Sequence, residues 1–294
     1  MTDCIILIVK LHSMSLKLIA DSGSTKTEWC LLDGKKKKKI ATQGISPYFL
    51  TGLQVEAILR DELLPGMRKA IPDEVFFYGT GCSNPENVRL IKTAIKKVFP
   101  KADVAVDHDL MGAAKALCGS EKGIACILGT GSNSCFFNGK KIIKNSPGLG
   151  YVLGDEGSGA YLGKKVVQYY LYQTFDPDLM DRFQSRYQTS PHEILDNVYK
   201  KPLPNRYLAG FAGFLDENRG HFMIENIIED GFNDFFFQHI LKYRESWTHP
   251  IHFTGSIAYL FKDVLKDMCN TYEVQLGRIM QNPMDGLIRY HQEN

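Results

Sequence analysis

The apolar positions of this chain alternate between strand-like runs and helix-like spacing, and one strand–turn–strand pattern occurs twice. Leu16–Ala20 is an apolar run, followed by the polar turn Asp21-Ser22-Gly23-Ser24-Thr25-Lys26-Thr27, a second run Trp29–Leu32 and the dipeptide Asp33-Gly34. Two strands closed by a tight hairpin turn are predicted there. The pattern recurs as Ile124–Leu128, the turn Gly129-Thr130-Gly131-Ser132-Asn133-Ser134, the run Cys135–Phe137 and Asn138-Gly139. Residues 52–71 carry Leu53, Ala57, Ile58, Leu63, Leu64 and Met67 at helical spacing, interrupted at Pro65. Glu74–Tyr78 reads as a buried strand ending in Gly79-Thr80-Gly81, and Pro85 opens a helix that Pro100 ends. A short strand, Ala102–Val106, leads to Asp107-His108-Asp109, and Gly112, Ala113, Ala114 and Ala116 mark a close-packing helix ending near Gly119. After the second hairpin comes a glycine-rich loop from Gly148 to Gly159, then a largely helical stretch over 160–245. Pro250–Phe253 is a strand running into Thr254-Gly255-Ser256 and a helix through Leu260, Phe261 and Leu265. Tyr272–Leu276 is predicted as the final strand, and Pro283 opens a terminal helix.

Strands followed by helices, with the hairpin recurring, predict an α/β architecture in two similar halves. The stretch 160–245 has no counterpart in the first half and reads as an inserted or expanded helical layer. A chain of 294 residues suffices for one large domain or two ordinary ones. With 44% hydrophobic and 23% charged residues it has the profile of a soluble globular protein, and a net charge of +2 argues for neither a nucleic-acid nor a membrane surface. Lys35–Lys39 follows Asp33-Gly34 directly and is expected as a solvated hairpin turn. The seven cysteines include no C-x-x-C pair, so small buried hydrophobes in a reducing cytoplasm are expected, not zinc ligands or disulfides. Cys4–Val9 is far short of the roughly 20 residues a membrane helix needs and lacks the features of a signal peptide. Residues 1–14 read as an appendage, of the kind an upstream start codon adds. The expected domains are 15–108 and 109–294.

Turns of Gly, Ser and Thr let backbone N–H groups and hydroxyls close around an anion. Two such hairpins facing each other would grip a polyphosphate from both sides. The chain has no G-x-x-x-x-G-K-[ST] loop, and Gly148-x-Gly150-x-x-x-Gly154 misses the dinucleotide spacing by one residue. What the order of motifs does resemble is the actin-like ATPase and sugar-kinase superfamily. In that resemblance Asp21-x-Gly23-x-Thr25-Lys26 stands as the first phosphate loop, Gly129-Thr130-Gly131-Ser132 as the second, and Thr254-Gly255-Ser256 as the adenosine loop. Within the superfamily, Gly129–Asn133, Gly148-Leu149-Gly150, Gly154–Ser158 and Asp109-x-x-Gly112 look most like the BadF/BadG/BcrA/BcrD-type ATPase family, in its N-acetylglucosamine-kinase-like branch. The resemblance spans nearly the whole chain from residue 15. It implies two ribonuclease-H-like domains around a nucleotide cleft and ATP-dependent phosphorylation of an amino sugar at its 6-hydroxyl.

Individual residues acquire expected roles. Asp21, at a strand end, would hold Mg²⁺ through water, or would simply form the turn. Ser24, Thr25 and Lys26 would reach the phosphates, Lys26 equally being a solvated hairpin lysine. Asp109 is the expected general base that orients the acceptor hydroxyl and takes its proton, although it also suits a helix N-cap and Asp107 stands nearby. The resemblance implies that Gly129, Thr130 and Gly131 cradle the β- and γ-phosphates, with Ser132 and Asn133 turned toward the sugar. It further implies that Gly148, Leu149, Gly150 and Asp155 contact the sugar, and that Ala209, Gly255 and Ser256 line the adenine pocket. One departure concerns specificity: the N-acetylglucosamine kinases have a sugar-contacting asparagine in the loop after the first hairpin, where this chain has Ser46. ATP and Mg²⁺ are the expected cofactors and a small-molecule sugar the expected partner, without nucleic acid or membrane and with a homodimer left open. The competing readings are an energy-coupling ATPase of the same family, whose iron–sulfur cluster would need paired cysteines such as Cys82, Cys118 or Cys126, and a nucleotide-gated scaffold, for which Asp109 and the Asp155 loop would be superfluous.

Overall fold

In the computed structural model, which describes residues 15–23, 25–68 and 70–293, the chain divides into two compact units, one ending at Asp109 and the other beginning at Leu110. The expected appendage, residues 1–14, and Ser24 lie outside the described residues. The first unit runs through β1 (Lys17–Ser22), β2 (Lys26–Asp33), β3 (Lys36–Gln43), α1 (Gly52–Ile58), α2 (Leu64–Met67), β4 (Glu74–Gly79), α3 (Pro85–Val98) and β5 (Asp103–His108), and its last residue opens α4 (Asp109–Cys118). Its five-stranded sheet has the order β3-β2-β1-β4-β5. β1 pairs antiparallel with β2 and parallel with β4, which pairs parallel with β5. Ala20 lies opposite Trp29 on one side and Phe77 on the other, so a small residue leaves room for two large ones. Trp29 is fully buried, and its indole N–H donates to Thr42 Oγ1 at 3.0 Å, which satisfies the one polar atom it brings into the core.

Two local expectations change here. The lysines do not form a turn: Lys36–Lys39 belong to β3, an edge strand, and only Lys35 stays with the turn at Gly34. A row of lysines on an edge discourages pairing with another chain. Pro65 does not end the helix either. A π turn over Leu59–Leu63, in which Leu64 N–H donates to Leu59 O, absorbs the register shift that a residue without an N–H imposes.

The second unit repeats the plan. After α4 come β6 (Lys122–Leu128), β7 (Ser132–Asn138) and β8 (Ile142–Ser146), then α5 (Gly150–Leu153), α6 (Gly159–Leu171), α7 (Pro177–Tyr187), α8 (Pro191–Tyr199), α9 (Pro204–Ala209), α10 (Ala212–Glu217) and α11 (Phe222–Phe235). β9 (Ile251–Thr254), α12 (Ser256–Leu260), α13 (Lys262–Thr271), β10 (Leu276–Met280) and α14 (Met284–Glu293) complete it. The sheet order β10-β9-β6-β7-β8 matches the first sheet strand for strand, with the same parallel and antiparallel pairs. The helical block α5–α11 therefore does have a positional counterpart: it fills the interval between third and fourth strands that α1 and α2 fill in the first unit. The final strand begins at Leu276, where the sequence pattern would end it, because the chain is still turning at Glu273 with φ +52°. One face of the second sheet packs against an aromatic core that includes Phe183, Phe214, Phe232 and Phe253, and Leu110, Ala114 and Leu117 of α4 meet Ala125, Cys135 and Phe137 in a separate cluster. No helix among the described residues is long and apolar enough to cross a membrane.

Candidate active site

In the first unit the parallel strands β1, β4 and β5 end side by side, at the sheet edge where α/β folds commonly bind ligands. Each end contributes a polar residue. Asp21 is the penultimate residue of β1, Thr80 follows β4 and Asp109 follows β5. Thr80 Oγ1 donates to Asp109 Oδ2 at 2.6 Å, while its N–H donates to Ser22 O at 2.9 Å and ties the β4 end to β1. Asp21 is half-buried, and its carboxyl is pushed up to about 7, first by burial and then by the negative charges of Asp109 and Glu28. A carboxylate crowded in this way is relieved by a cation. Asp107 differs from Asp109: its Oδ1 accepts from His108 N–H at 2.9 Å and stands 3.7 Å from His108 Nε2.

The loop after β3 is anchored to the same edge. Ser22 Oγ donates to Ile45 O at 2.9 Å, and Ile45 N–H lies 3.1 Å from Ser22 Oγ and 3.2 Å from Thr27 Oγ1. The next residue, Ser46, is 2% exposed, and its hydroxyl has no hydrogen-bond partner among the described residues. Leaving a buried hydroxyl unpaired costs about 1–3 kcal/mol, which a ligand hydrogen bond would recover. Thr25 and Lys26 lie exposed at the start of β2.

The second unit gathers two further groups of sequence-predicted residues. Ser132 N–H approaches Asp155 Oδ1 at 3.4 Å, and a Cβ on Gly131 would come within 2.9 Å of Asp155 Oδ2, so only glycine leaves the carboxylate its place. A Cβ on Gly148 would sit 2.6 Å from Ser132 O. Asp155 itself has φ +59° and is 8% exposed; burial raises its carboxyl above the usual range, against the opposing effect of the Ser132 N–H. Ser132 Oγ is a second buried hydroxyl without a partner among the described residues. Asn133 Oδ1 accepts from Ser134 N–H and from Asn145 Nδ2, both at 2.9 Å, so this oxygen is engaged with its own hairpin. Leu149 and Gly150, in contrast, are exposed.

Gly129, Thr130, Ala209 and Ser256 line a cavity of about 260 Å³ together with Gly159, Arg206, Gly210 and Ile257. Gly159 N–H donates to Gly129 O at 2.8 Å and Ala160 N–H to Thr130 O at 3.0 Å, which fixes the start of α6 to the turn. Gly255 has φ +121°, and a Cβ there would overlap Leu128 O. Beside it Thr254 Oγ1 is the third buried hydroxyl without a partner among the described residues. Arg206 and Thr80 escaped the sequence reading. A Gly-Thr-Gly at a strand end was the available signal for Thr80; Arg206 carried none. The six described cysteines are all free and buried, and burial pushes the thiols of Cys82 and Cys118 up to about 12. Among the described residues no three His, Cys, Asp or Glu side chains form a group able to hold a metal.

No protein-family model and no curated protein matches the chain. Solved structures do. A Porphyromonas gingivalis protein named "putative N-acetylglucosamine kinase" is 39% identical, with a TM-score of 0.91 over 95% of this chain and 99% of that one. The chain belongs to the family of that protein. A Chromobacterium violaceum structure of the same name is 16% identical, covering 95% of this chain and 99% of its own, with a TM-score of 0.74. A ROK family glucokinase from Streptomyces griseus, solved with glucose and AMPPNP, is 15% identical over 94% of this chain and 97% of its own, with a TM-score of 0.54. These two share the fold with the family. That fold, two domains each built on a five-stranded mixed sheet, is the actin-like ATPase fold.

Proposed function

We propose that this chain is an ATP-dependent sugar kinase of the N-acetylglucosamine-kinase-like branch of the BadF/BadG/BcrA/BcrD-type ATPases, transferring the γ-phosphoryl group to the 6-hydroxyl of N-acetylglucosamine or a related hexosamine. The observation that carries the reading is the Asp21–Asp109 carboxylate pair at the edge of the first sheet, in a chain 39% identical over 95% of its length to a protein named for that activity. Asp109 accepts the proton of the sugar hydroxyl as the new O–P bond forms and the bond from the γ-phosphorus to the bridging oxygen breaks, releasing ADP. Phosphoryl transfer has a loose transition state, so the base mainly aligns the nucleophile and contributes about 10²–10⁴-fold. Thr80 steers the Asp109 carboxylate by donating to its Oδ2.

Ser46 and Ser132 each offer a sugar a buried hydroxyl that has no partner among the described residues, and the buried Asp155 carboxylate accepts from sugar hydroxyls. Gly129, Thr130 and Gly131 offer close backbone approach to the phosphates, and Ala209, Gly255 and Ser256 border the adenosine. Asp21 suits Mg²⁺, a hard cation that takes one or two carboxylates with water and phosphate oxygens. When bound there it supplies neutralising charge to the phosphates. The test is ADP release with Mg²⁺ and ATP against a panel of hexosamines and hexoses. Stimulation by N-acetylglucosamine or a close relative is expected, and a rate that no sugar raises above the sugar-free background defeats the proposal.

A further inference from the structure

The loop that carries Asp155 meets the apolar core through Tyr151, whose carbonyl also accepts from Lys164 Nζ at 3.1 Å. It borders a cavity of about 430 Å³, lined among others by Lys144, Asn145, Leu149, Glu156 and His239. Its two stems are also joined by a chain of polar contacts. At its first stem, Ser146 N–H donates to Tyr243 Oη at 2.6 Å and Ser146 Oγ to Gln238 O at 2.7 Å. Tyr243 Oη lies 2.8 Å from Ser134 Oγ in β7, and Ser134 Oγ lies 3.1 Å from His239 Nδ1. His239 Nε2 then faces Glu156 Oε2, at the second stem, across 3.6 Å. One assignment gives each hydrogen an acceptor: Tyr243 donates to Ser134, and Ser134 donates to Nδ1. His239 is then neutral, with its N–H on Nε2 directed at the Glu156 carboxylate.

We propose that His239 is a positioning residue, which bridges Ser134 and Glu156 to hold the 147–157 loop and thereby fixes the Asp155 carboxylate for sugar binding. The functional half of this statement rests on the sugar-kinase reading; the structural half does not. The ring is well placed for the task. It is 2% exposed, stacks on Phe235 at 4.6 Å between centroids, and sits in a π turn over Phe236–Ile240 that follows α11. Such wide turns inside helices frequently mark functional positions. Burial holds the imidazole below its ordinary pKa, outweighing the attraction of Glu156, in keeping with a neutral ring. Glu156 is the neighbour of Asp155 in sequence and raises its carboxyl electrostatically, while Lys164 acts on both from α6. A shift of Glu156 therefore changes both the place and the charge balance of Asp155.

The test compares His239→Phe, His239→Gln and Tyr243→Phe with the full-length parent. Amide hydrogen exchange is measured on the free protein, and sugar KM, ATP KM and kcat are measured with the best sugar. His239→Phe should speed exchange across 147–157 by about tenfold or more and leave α6 within about twofold. Sugar KM should rise about tenfold, with ATP KM and kcat within about threefold. His239→Gln, which retains an N–H donor, should stay near the parent. Unchanged loop exchange in His239→Phe, equal damage from Gln and Phe, or a matching rise in ATP KM overturns the proposal. If His239→Phe does not fold, Tyr243→Phe removes one hydroxyl at the other stem and must speed exchange at 146–150, or the proposal fails. Should no sugar be phosphorylated by the parent, the sugar-kinase reading falls, and the exchange measurements still decide whether His239 holds the loop.

Discussion

Asp21→Asn should stabilise the metal-free protein at alkaline pH while abolishing its activity. Asp21 carries a carboxyl raised from 3.8 to about 7, mainly by burial, with Asp109 and Glu28 adding like charge. A raised pKa means that the folded state holds its proton more tightly than the unfolded chain. The stabilising contribution of this group is full below about pH 4 and is lost as pH rises to about 7. About three pKa units at 1.36 kcal/mol each give a loss on the order of 4 kcal/mol. Asn cannot ionise, so the variant should escape the loss. Tm is to be measured from pH 4.5 to 8.5 in EDTA for parent and variant. The two should nearly coincide at the acid end and separate by at least about 5 °C at the alkaline end, the variant being the more stable. Mg²⁺ with a non-hydrolysable ATP analogue should narrow that gap by stabilising the parent. Parallel pH profiles for the two proteins would refute the claim that Asp21 is held under electrostatic stress.

Two further substitutions separate roles around the same edge. Asp109→Ala should lower kcat by about 10²-fold or more with ATP binding retained, whereas Asp107→Ala should stay within a few fold; the reverse order in steady-state kinetics would transfer the base to Asp107. Ser46→Ala removes a buried hydroxyl that has no partner among the described residues and should leave Tm unchanged or raise it, yet increase sugar KM about tenfold. A fall in Tm with unchanged KM would make Ser46 a structural residue.

The duplicated topology was legible because both hairpins announce themselves locally, through apolar runs around a turn of small residues and a terminal Asp-Gly or Asn-Gly. The strand-end positions of Asp21 and Asp109 were legible because each follows a short apolar strand run. What escaped depends on contacts distant in sequence. Thr80 matters through Asp109, 29 residues away, and Tyr243 through Ser134, 109 residues away. The last strand was misplaced because β10 carries Gly277 and Arg278, which blur its apolar alternation. Both answer to His252: a Cβ on Gly277 would overlap its ring, and Arg278 N–H donates to its Nδ1 at 2.9 Å. The π turn before Pro65 was illegible since periodicity reports that a helix continues, not how it accommodates a missing donor.

The two sheets share one topology, yet their turns have diverged in charge: where the first copy has Asp21, the second has Gly129. On the sugar-kinase reading the first copy draws in a cation and the second leaves bare backbone for phosphate. That division can be tested by making the second copy resemble the first. A Cβ on Gly129 would meet no atom within 4 Å, so a side chain fits and its charge can be examined apart from its bulk. Two like charges 4 Å apart repel by about 4 kcal/mol at an effective dielectric constant near 20. Gly129→Asp should therefore weaken ATP binding by about 10²-fold or more, while the isosteric Gly129→Asn costs at most about tenfold, with Tm of both near the parent. Titration with the non-hydrolysable analogue measures the difference. Equal losses for Asp and Asn would mean that steric access, not charge, governs this turn.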